Sequence, residues 1–588
     1  MKRVKGIRIP LFSTSAHPYS SFLKKVGLII LVALVAVLPT AVFADSGSVI
    51  YVLDPNAIVQ GQSDVQTSLP SAFTGAIVNN YLGANRFYTN GITGQGTITA
   101  NVEAGKIWNG HEALTQVTNF VAPDDSLNEY DRHATWVGMM IGGRQGGSVP
   151  GTYQTGIAMG TDLRSGAMAN AWYGSAYSRS FDFSAGAFVD TYKAFFGTAN
   201  VINSSWNFTD TTGQEDLTIA LDGFSSASPT TTFVASSGNS GSNPNTVGGP
   251  ASGYNRISVG ALQNDGANNY SSIAGFSSRG PQDYNDPVHK TVPGVRAAVD
   301  IVAPGTDLTS AFYGGQEGGN GPSLPGSVNS GGPNYCTWGL AGTSFAAPIV
   351  AGGASLLNSA SITDALPATS RDARVIKAVL LNSADKLTGW NNGQTTVNNV
   401  VTTTQSLDWT LGAGRMNLNK AYDQYLSGTE DVPGLGGDSI SALGWDNGAI
   451  SLLGHNDYQF SQKLKGGTTM DVTLSWFRDR RIDTDALFVY DEGFANLDLE
   501  VWDVNTQLLI ATSHSLYNSV EELHFTLPND DNYFLRVTYP NQMFGPPVQE
   551  VYGLAWSATA VVPEPGTLVL IAAAGGCFLG YTLMRKRA

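Results

Sequence analysis

The chain has 588 residues, with 32 Lys and Arg against 47 Asp and Glu and a formal net charge of −15. Six of the basic residues precede the first apolar run and three end the chain, so the middle is more acidic still, which excludes a chain built to bind nucleic acid or anionic lipid. Of the two cysteines, Cys577 lies in the C-terminal apolar run, so a disulfide framework is excluded and we interpret Cys336 as a buried filler.

The N-terminus has the three parts of a secretory signal. A basic leader that ends at Lys25 precedes an apolar run from Val26 to Leu38, and Val42-Phe43-Ala44 offers small residues at the cleavage positions. A first transmembrane helix is the alternative interpretation, but the apolar run is short for it. We predict a signal peptide over 1–44 and a short N-terminal segment over 45–90.

Several polar residues follow apolar strands along the middle of the chain. Thr97 to Gly105 (TITANVEAG) predicts a buried strand that ends in a turn, with Glu103 at its end. Thr232 to Ser236 predicts another strand, and the Ser237-Gly238-Asn239 sequence that follows is typical of a turn. Alternating β-rich and helical segments indicate an α/β fold with a parallel sheet and helices on both faces.

The most informative sequence is LAGTSFAAPIVAGG, from Leu340 to Gly353. A Gly-Thr-Ser turn followed by small residues predicts a loop-to-helix junction at which Ser344 projects at the helix N-terminus. Free backbone N–H groups and the helix dipole can hold an oxyanion there. The string resembles the nucleophile segment of the subtilisin-like serine peptidases (subtilases, peptidase S8 family).

That resemblance implies a catalytic acid, histidine and serine in this order along the chain. The sequence DRHATWVG, from Asp131 to Gly138, resembles the family's H-G-T-H-V-A-G helix start and puts His133 in the place of the base. Ala134 and Trp136 depart from the family pattern there. A helix-capping surface histidine is the alternative for His133, and His111 lies in GHEAL, similar to a non-catalytic family motif.

The implied acid is a glutamate. TITANVEAG matches the family's V-A-V-I-D-T-G, but Glu103 stands where aspartate is usual, thirty residues before His133. A glutamate can accept the imidazole N–H and stabilise an imidazolium, although its extra methylene moves the carboxylate by about one bond length unless the strand retreats. The related sedolisins use glutamate as the base, a scheme that His133 does not require here. The neighbouring acids could replace Glu103 only if their loop folded back: Asp124, Asp125 and Asp131.

The resemblance also implies an oxyanion hole and substrate-binding strands. Asn239 would donate its side-chain amide together with the Ser344 N–H, whereas the alternative for this sequence is a plain turn. The implied substrate-binding residues are Ser205, Ser237 and Gly238, and Asn207 stands where the family keeps a glycine in its specificity pocket.

The resemblance extends from Gly91 to Tyr425 and implies a subtilisin-like three-layer α/β fold with a mainly parallel sheet, which we assign to 91–425. About fifty residues lie between the signal and the first motifs, fewer than the inhibitory prodomain that many subtilases carry. The Gly-rich stretch from Gly314 to Gly332 predicts an insertion at the active-site rim, either a lid or an ordinary surface loop.

Beyond Gly434 the apolar pattern changes to a period of two. Four such runs predict an antiparallel β-sandwich over 461–560, similar to the jelly-roll domains that follow many extracellular subtilase domains, after a linker over 426–460. Asp491, Asp498 and Asp503 are candidate ligands of a structural Ca²⁺, with solvated strand-edge acids as the alternative.

The C-terminus has three parts. Val562-Pro563-Glu564-Pro565-Gly566 is followed by an apolar stretch from Thr567 to Met584, and Arg585-Lys586-Arg587 would stay in the cytoplasm. Residues 562–588 resemble the PEP-CTERM sorting signal with its transmembrane helix, which implies exosortase-type machinery, removal of the helix, and an extracellular or cell-envelope location in a Gram-negative-type bacterium. A plain membrane anchor is the alternative.

We therefore predict a secreted or surface-directed serine endopeptidase that acts on proteins or peptides with a Ser-His-Glu triad. It needs no cofactor for catalysis, and structural Ca²⁺ is a family expectation. One rival is a catalytically inactive subtilase-fold binding or scaffold protein, which Glu103, Ala134 and Asn207 favour. The other is a processing enzyme with one envelope substrate.

Overall fold

The structure is a computed structural model that describes residues 42–43, 48–67, 77–145, 153–174, 179–266, 269–311, 327–328, 336–428 and 439–558. The described residues from Phe43 onward form one compact unit. Three predictions fall almost wholly outside the described residues: the signal peptide over 1–44, the Gly-rich insertion over 314–332 and the sorting signal over 562–588.

The described residues contain eight α-helices and one 3-10 helix at Ala368–Arg371. The α-helices are α1 Ile77–Tyr81, α2 Asn85–Tyr88, α3 Arg132–Gly142, α4 Ala185–Lys193, α5 Asp216–Ala227, α6 Thr343–Thr363, α7 Ala373–Asn382 and α8 Leu418–Leu426. Helix α6 is long and apolar enough to cross a membrane, but 94% of its apolar window is buried, so it is a core helix.

The strands fall into three groups along the chain. The first comprises β1 Val42–Phe43, β2 Val49–Val52, β3 Ile58–Gln62 and β4 Gln66–Thr67. The second comprises β5 Ile98–Glu103, β6 Lys106–Ile107, β7 Phe120–Val121, β8 Tyr130–Asp131, β9 Asp162–Ala167, β10 Ala171–Gly174, β11 Arg179–Ser184, β12 Val201–Ser204, β13 Thr232–Ser236, β14 Ile257–Gln263, β15 Ser272–Ile273, β16 Gln282–Asp286, β17 Lys290–Arg296, β18 Ile301–Pro304, β19 Leu308–Ala311, β20 Ser327–Val328, β21 Cys336–Ala341, β22 Thr395–Val397 and β23 Val400–Thr403. The third comprises β24 Leu443–Ile450, β25 His455–Gln459, β26 Thr469–Trp476, β27 Asp479–Asp483, β28 Phe488–Asp503, β29 Leu509–Ser513, β30 Val520–Thr526, β31 Tyr533–Phe544 and β32 Glu550–Ser557.

An eight-stranded sheet lies at the centre of the fold. Its order is β15-β14-β13-β12-β5-β9-β7, with β18 also paired to β14, and every pair except β14–β15 is parallel. Strands β12 and β13 are buried along their whole length, as expected for strands covered on both faces. Because these strands are parallel, the carboxyl ends of β5, β12 and β13 meet at one edge, which is where an α/β sheet places its ligands.

The C-terminal region consists of two antiparallel sheets around one core. One sheet has the order β24-β32-β26-β30, and the other contains β25, β31, β28 and β29. The apolar residues of the period-two pattern are all buried in this core: Met470, Val472, Leu474, Trp476, Leu497, Leu499, Val501, Leu523, Phe525, Leu527, Tyr533, Leu535, Val537 and Tyr539. Strands β24 and β25 lie inside the predicted linker 426–460. They pair with the distant strands β32 and β31, which local composition does not indicate.

The N-terminal and C-terminal regions are built into the same unit as the central sheet. Strand β2 pairs with β28, and β23 pairs with β29, so β2 and the hairpin of β22 and β23 both extend a C-terminal sheet. Buried ion pairs reinforce this junction. Arg480 contacts Asp222 of α5 at 2.8 Å and Asp491 of β28 at 3.1 Å, Arg478 also contacts Asp491, at 2.6 Å, and Arg256 pairs with Asp222.

Candidate active site

Glu103, His133 and Ser344 lie at the carboxyl edge of the central sheet. Glu103 ends β5, His133 is in the first turn of α3, and Ser344 is the second residue of α6. Each is at most 3% exposed. His133 Nδ1 lies 3.1 Å from Glu103 Oε2, so the structure brings the predicted acid and base into hydrogen-bonding contact. His133 is buried, unlike the surface histidine of the alternative interpretation.

Both carboxylate oxygens of Glu103 have a defined partner. Oε2 faces the His133 ring, and Oε1 accepts a hydrogen bond from the Ser205 backbone N–H at 2.9 Å. The extra methylene therefore does not carry the carboxylate past the imidazole. The end of β12 fixes the second oxygen, and the ring N–H can donate to the first.

Two of the three neighbouring acids, Asp131 and Asp125, have other partners. Asp131 is the N-cap of α3, and its Oδ2 accepts from the Ala134 N–H at 3.1 Å, which fixes the start of the helix that carries His133. Asp125 accepts a hydrogen bond from the Ser184 hydroxyl. His111 is buried against Tyr153, with ring centroids 5.0 Å apart.

The two departures from the family helix motif both have a packing role. Trp136 is fully buried, and its ring centroid lies 6.5 Å from that of Phe345 on α6, so the indole fills space between α3 and α6. Ala134 is also fully buried, and its carbonyl accepts from Asn101 Nδ2 at 3.2 Å, which ties α3 to β5.

The structure does not join Ser344 to His133 by a hydrogen bond. The Ser344 hydroxyl donates to the Ser205 carbonyl at 3.0 Å, and His133 Nε2 has no hydrogen-bond partner among the described residues. Both side chains nevertheless contact the same strand end, because Glu103 accepts from Ser205 N–H. Rotation of the serine side chain away from Ser205 is the movement that proton transfer to His133 requires.

Asn239 is oriented by the residue that precedes the serine. Its Oδ1 accepts from the Thr343 N–H at 2.9 Å and from the Thr343 hydroxyl at 3.0 Å. With the oxygen held in this way, the amide NH₂ points into the cleft and donates to the Asp64 carbonyl at 2.9 Å. Thr343, which the sequence motifs did not indicate, thus fixes the orientation of the Asn239 amide.

The predicted substrate-binding residues differ in the contacts that their backbone groups make. Gly238 has φ +109°, and a Cβ there would lie 3.0 Å from Ser278 Oγ, so the turn before Asn239 needs glycine. The Ser237 N–H donates to the Val259 carbonyl at 2.9 Å and so belongs to the sheet. The Ser205 carbonyl faces Ser344.

Asn207 also lies in the cleft, and its backbone N–H and carbonyl pair with another segment of the chain. Its N–H donates to the Gln62 carbonyl at 2.8 Å, and the Gln62 N–H donates to the Asn207 carbonyl at 2.7 Å. Its side chain donates to the Ser236 carbonyl at 3.0 Å and links the ends of β12 and β13. The sequence signalled only that Asn207 departs from the family glycine.

The candidate calcium ligands do not form a cluster. Asp491 is buried and paired with two arginines, so it is neither a free ligand nor a solvated acid. Asp503 Oδ1 accepts the N–H groups of Asn505 and Thr506 in a turn. Burial raises the pKa of Asp498 to about 6. Among the described residues, no group of three or more His, Cys, Asp or Glu side chains is arranged to hold a metal ion.

The pH dependence of activity should follow His133. Burial alone would lower the pKa of His133, but the Glu103 carboxylate on Nδ1, together with Asp131 and Asp64, raises the pKa above its ordinary value of 6.5. Since a general base must be neutral, we expect kcat/KM to fall as the pH falls through this raised pKa. A profile of kcat/KM against pH measures it, and Glu103→Gln should move the acid limb to lower pH. An acid limb that did not move would contradict the pairing.

Asn239→Ala should lower kcat by about 10²- to 10³-fold with little change in KM, because the amide acts on charge that develops only in the transition state. Steady-state hydrolysis of a chromogenic peptide measures the effect. Asn243→Ala, in the loop that follows, is the control for substitution of a nearby asparagine. Equal effects of the two substitutions would contradict the role of Asn239.

The chain is similar to known proteins over much of its length. The Peptidase S8 model, described as the subtilase family, matches residues 71–404, which is more than half of the chain. Among solved structures, the crystal structure of the serine protease of Aeromonas sobria is similar at 13% sequence identity, covering 83% of this chain and 94% of that one with a TM-score of 0.43. On the extent of the family match, the chain belongs to the subtilase family of serine peptidases.

Proposed function

We propose that the protein is a secreted serine endopeptidase in which Ser344 is the nucleophile, His133 the general base, Glu103 the orienting acid and Asn239 an oxyanion donor. The observation that carries the proposal is the buried Glu103–His133 contact of 3.1 Å, with Glu103 held from its other oxygen by Ser205 N–H. A scaffold protein has no need for an imidazole bonded to a buried carboxylate beside a helix-terminal serine.

The proposed reaction is acyl transfer to Ser344. The serine hydroxyl turns from the Ser205 carbonyl, gives its proton to His133 Nε2 and attacks the scissile carbonyl. Glu103 stabilises the imidazolium, while the Asn239 amide and the Ser344 N–H at the start of α6 hold the oxyanion. His133 then protonates the leaving amine, and water hydrolyses the acyl-enzyme with His133 as the base.

We further propose that the peptidase acts outside the cytoplasm. The signal over 1–44 would direct export, and the PEP-CTERM-like segment over 562–588 would pass the chain to exosortase-type sorting machinery after transient insertion in the membrane. Substrates would be proteins or peptides of that compartment. Structural Ca²⁺ stays a family expectation, and no catalytic cofactor is proposed.

Labelling of the full-length protein, purified in detergent, with a fluorophosphonate probe tests the proposal. We expect stoichiometric labelling of wild type and none of Ser344→Ala, because the probe reacts only with an activated serine. His111→Ala is the matched control for His133→Ala, and only the latter should abolish labelling. A folded protein with an accessible cleft that never labels would favour the inactive binding or scaffold protein instead. Cleavage of casein would count against a processing enzyme with one substrate.

A further inference from the structure

Arg296 is a buried cation that has no acidic partner among the described residues. It is the last residue of β17 and is 4% exposed. Its guanidinium donates to the Gln282 side-chain carbonyl at 3.1 Å and to the Gly253 carbonyl at 2.6 Å, and both acceptors are neutral. The group also stacks on the Tyr254 ring, 3.8 Å from the ring centroid. An arginine does not lose its proton in a protein, so this charge lies in the interior without a carboxylate to compensate it.

Asp300, four residues further along the chain, has both carboxylate oxygens bound by other groups. Its Oδ1 contacts Lys377 Nζ of α7 at 2.9 Å, and its Oδ2 accepts the Ser258 N–H at 2.8 Å. Lys377 Nζ also donates to the Arg256 carbonyl at 2.7 Å, so two of its three N–H groups have acceptors. Asp300 therefore compensates Lys377, and Arg296 remains as the cation in excess.

Both cations line a small cavity. Its volume is about 20 Å³, which admits one particle of the size of a water molecule or a chloride ion. Arg296, Lys377 and Asp300 are the ionised groups among its described lining residues, and they leave one positive charge in excess. Burial lowers the pKa of Arg296, and the nearby Arg480 lowers it as well. The surrounding charges, Asp222 included, therefore do not make up for the hydration that Arg296 has lost.

A third donor at the cavity comes from the C-terminal region. Asn518, in the loop between β29 and β30, lines the cavity and is 4% exposed. Its Oδ1 accepts the Ala297 N–H at 2.8 Å, which fixes the orientation of the amide. Its Nδ2 is buried and has no hydrogen-bond partner in the part of the chain that the structure describes. Because a buried NH₂ group without an acceptor is costly, this group requires an acceptor inside the cavity.

An anion fits these groups better than a water molecule does. The guanidinium of Arg296, the ammonium of Lys377 and the amide nitrogen of Asn518 are all hydrogen-bond donors. Water can accept such hydrogen bonds, but it leaves the excess positive charge buried and uncompensated. Sulfate, phosphate and carboxylates are larger than the single particle that the cavity admits. The volume and the charge together select a small monovalent anion.

We propose that this cavity is a chloride-binding site formed by Arg296, Lys377 and Asn518. Chloride is spherical, accepts several N–H hydrogen bonds and carries the single negative charge that the lining lacks. Arg296 and Lys377 lie within residues 71–404, which match the subtilase family, whereas Asn518 belongs to the C-terminal region. The anion therefore holds the C-terminal region against the peptidase region. Its role is in stability, so the proposal does not rest on the catalytic assignment.

Thermal unfolding of full-length Ser344→Ala, purified in detergent, tests the proposal. This background prevents proteolysis during heating. Sodium chloride replaces sodium gluconate at constant ionic strength, because gluconate is too large for the cavity. A ligand that binds only the folded state stabilises it with the logarithm of its concentration. We therefore expect the melting temperature, followed by circular dichroism, to rise by about 3 °C between about 1 mM and about 300 mM chloride.

Asn518→Asp, made in the same background, supplies the negative charge from the chain itself. Its Oδ1 can still accept the Ala297 N–H, and the second oxygen replaces the nitrogen that has no partner. In gluconate, we expect this variant to melt at least as high as the background does in about 300 mM chloride. The rise with chloride should be lost, because the carboxylate already neutralises the cavity.

Asn382→Asp is the matched control. Asn382 is 3% exposed, and its Nδ2 likewise has no partner among the described residues, but it is not part of the described lining of the cavity. The substitution buries a carboxylate away from the two cations of the cavity. We expect a lower melting temperature in gluconate and an unchanged rise with chloride.

The outcomes are distinct. If the melting temperature of the background does not depend on chloride, the cavity holds water and the chloride site is wrong. If Asn518→Asp keeps the rise, chloride acts elsewhere, and if it melts well below the background in gluconate, the cavity has no excess positive charge. Either result overturns the proposal.

Bromide locates the site directly. A crystal grown in sodium bromide should give an anomalous peak within hydrogen-bonding distance of Asn518 Nδ2, and the absence of a peak there contradicts the proposal. None of these measurements uses the reactivity of Ser344. Probe labelling of the wild-type protein therefore tests the proposed function separately, and either idea can fail while the other stands.

Discussion

Replacing Glu103 by glutamine is expected to lower kcat by about 10⁴-fold in a protein that remains folded, as loss of the acid does in a Ser-His-acid triad. The amide has nearly the shape of the carboxylate, and its oxygen can still accept the Ser205 N–H. What it lacks is the charge that stabilises the His133 imidazolium, and an NH₂ group facing Nδ1 favours the wrong tautomer. Peptide hydrolysis measures the loss, and near-ultraviolet circular dichroism checks the fold.

Asp131→Asn is the matched control, since it makes the same carboxyl-to-amide change in a second buried acid close to His133. Asparagine caps a helix as well as aspartate, so the Ala134 N–H keeps its acceptor. We expect activity within about tenfold of wild type, because Asp131 acts on the pKa of His133 only through space. If Asp131→Asn proved as damaging as Glu103→Gln, the assignment of the acid would be wrong.

Arg480→Met is expected to destabilise the protein by about 3–5 kcal/mol. The Arg480 side chain is fully buried and binds both Asp222 and Asp491, so its removal takes one charged hydrogen-bond donor from each buried carboxylate. Arg256 and Arg478 still neutralise the two carboxylates. Urea unfolding followed by tryptophan fluorescence measures the change. Arg481→Met is the control on the next residue: its ion pair with Glu492 is largely exposed, and we expect a loss of at most about 1 kcal/mol. Equal losses in the two variants would show that the buried ion pairs of Arg480 stabilise the protein no more than the exposed pair of Arg481.

The same cluster sets a limit to acid stability. Burial opposes ionisation of Asp222, but Arg256 and Arg480 outweigh it and hold the pKa at about 2. A carboxyl with a depressed pKa stabilises the fold above its unfolded pKa of about 3.9, and this contribution is lost as the pH falls towards 2. We therefore expect acid unfolding of wild type between about pH 4 and pH 2, and at higher pH for Arg480→Met. An unchanged midpoint would contradict this account.

The position of the candidate site could largely be predicted from the sequence, because its residues lie at the ends of strands and helices. A parallel sheet brings the ends of β5, β12 and β13 to one edge, so Glu103, Ser205 and Asn239 meet once their strands are recognised. The partner of Ser344 was not predictable. Whether its hydroxyl turns to His133 or to the Ser205 carbonyl depends on a side-chain rotation that no sequence pattern encodes.

The segment Ile58–Thr67 shows that a local sequence pattern does not reveal pairing between distant residues. Ile58–Thr67 is mostly polar and predicts no buried strand, and its partners at Ser180, Asn207 and Ala341 lie more than a hundred residues away. Its register comes from those pairings and not from its own periodicity. For the same reason β24 lies inside a stretch that composition assigned to a linker, since its pairing with β32 makes it a strand.

The hairpin of β22 and β23 has a consequence for how this protein can change over evolutionary time. The family match ends at residue 404, one position after β23, yet Val401, Thr402 and Thr403 pair with the C-terminal strand β29. A gene that stopped there would leave the hairpin as an unpaired edge and would remove Arg480 from Asp222. Recombination therefore cannot exchange the C-terminal region between peptidases without loss of this strand pairing. Sequence changes in β29 should therefore be accompanied by changes in the hairpin of β22 and β23 that pairs with it.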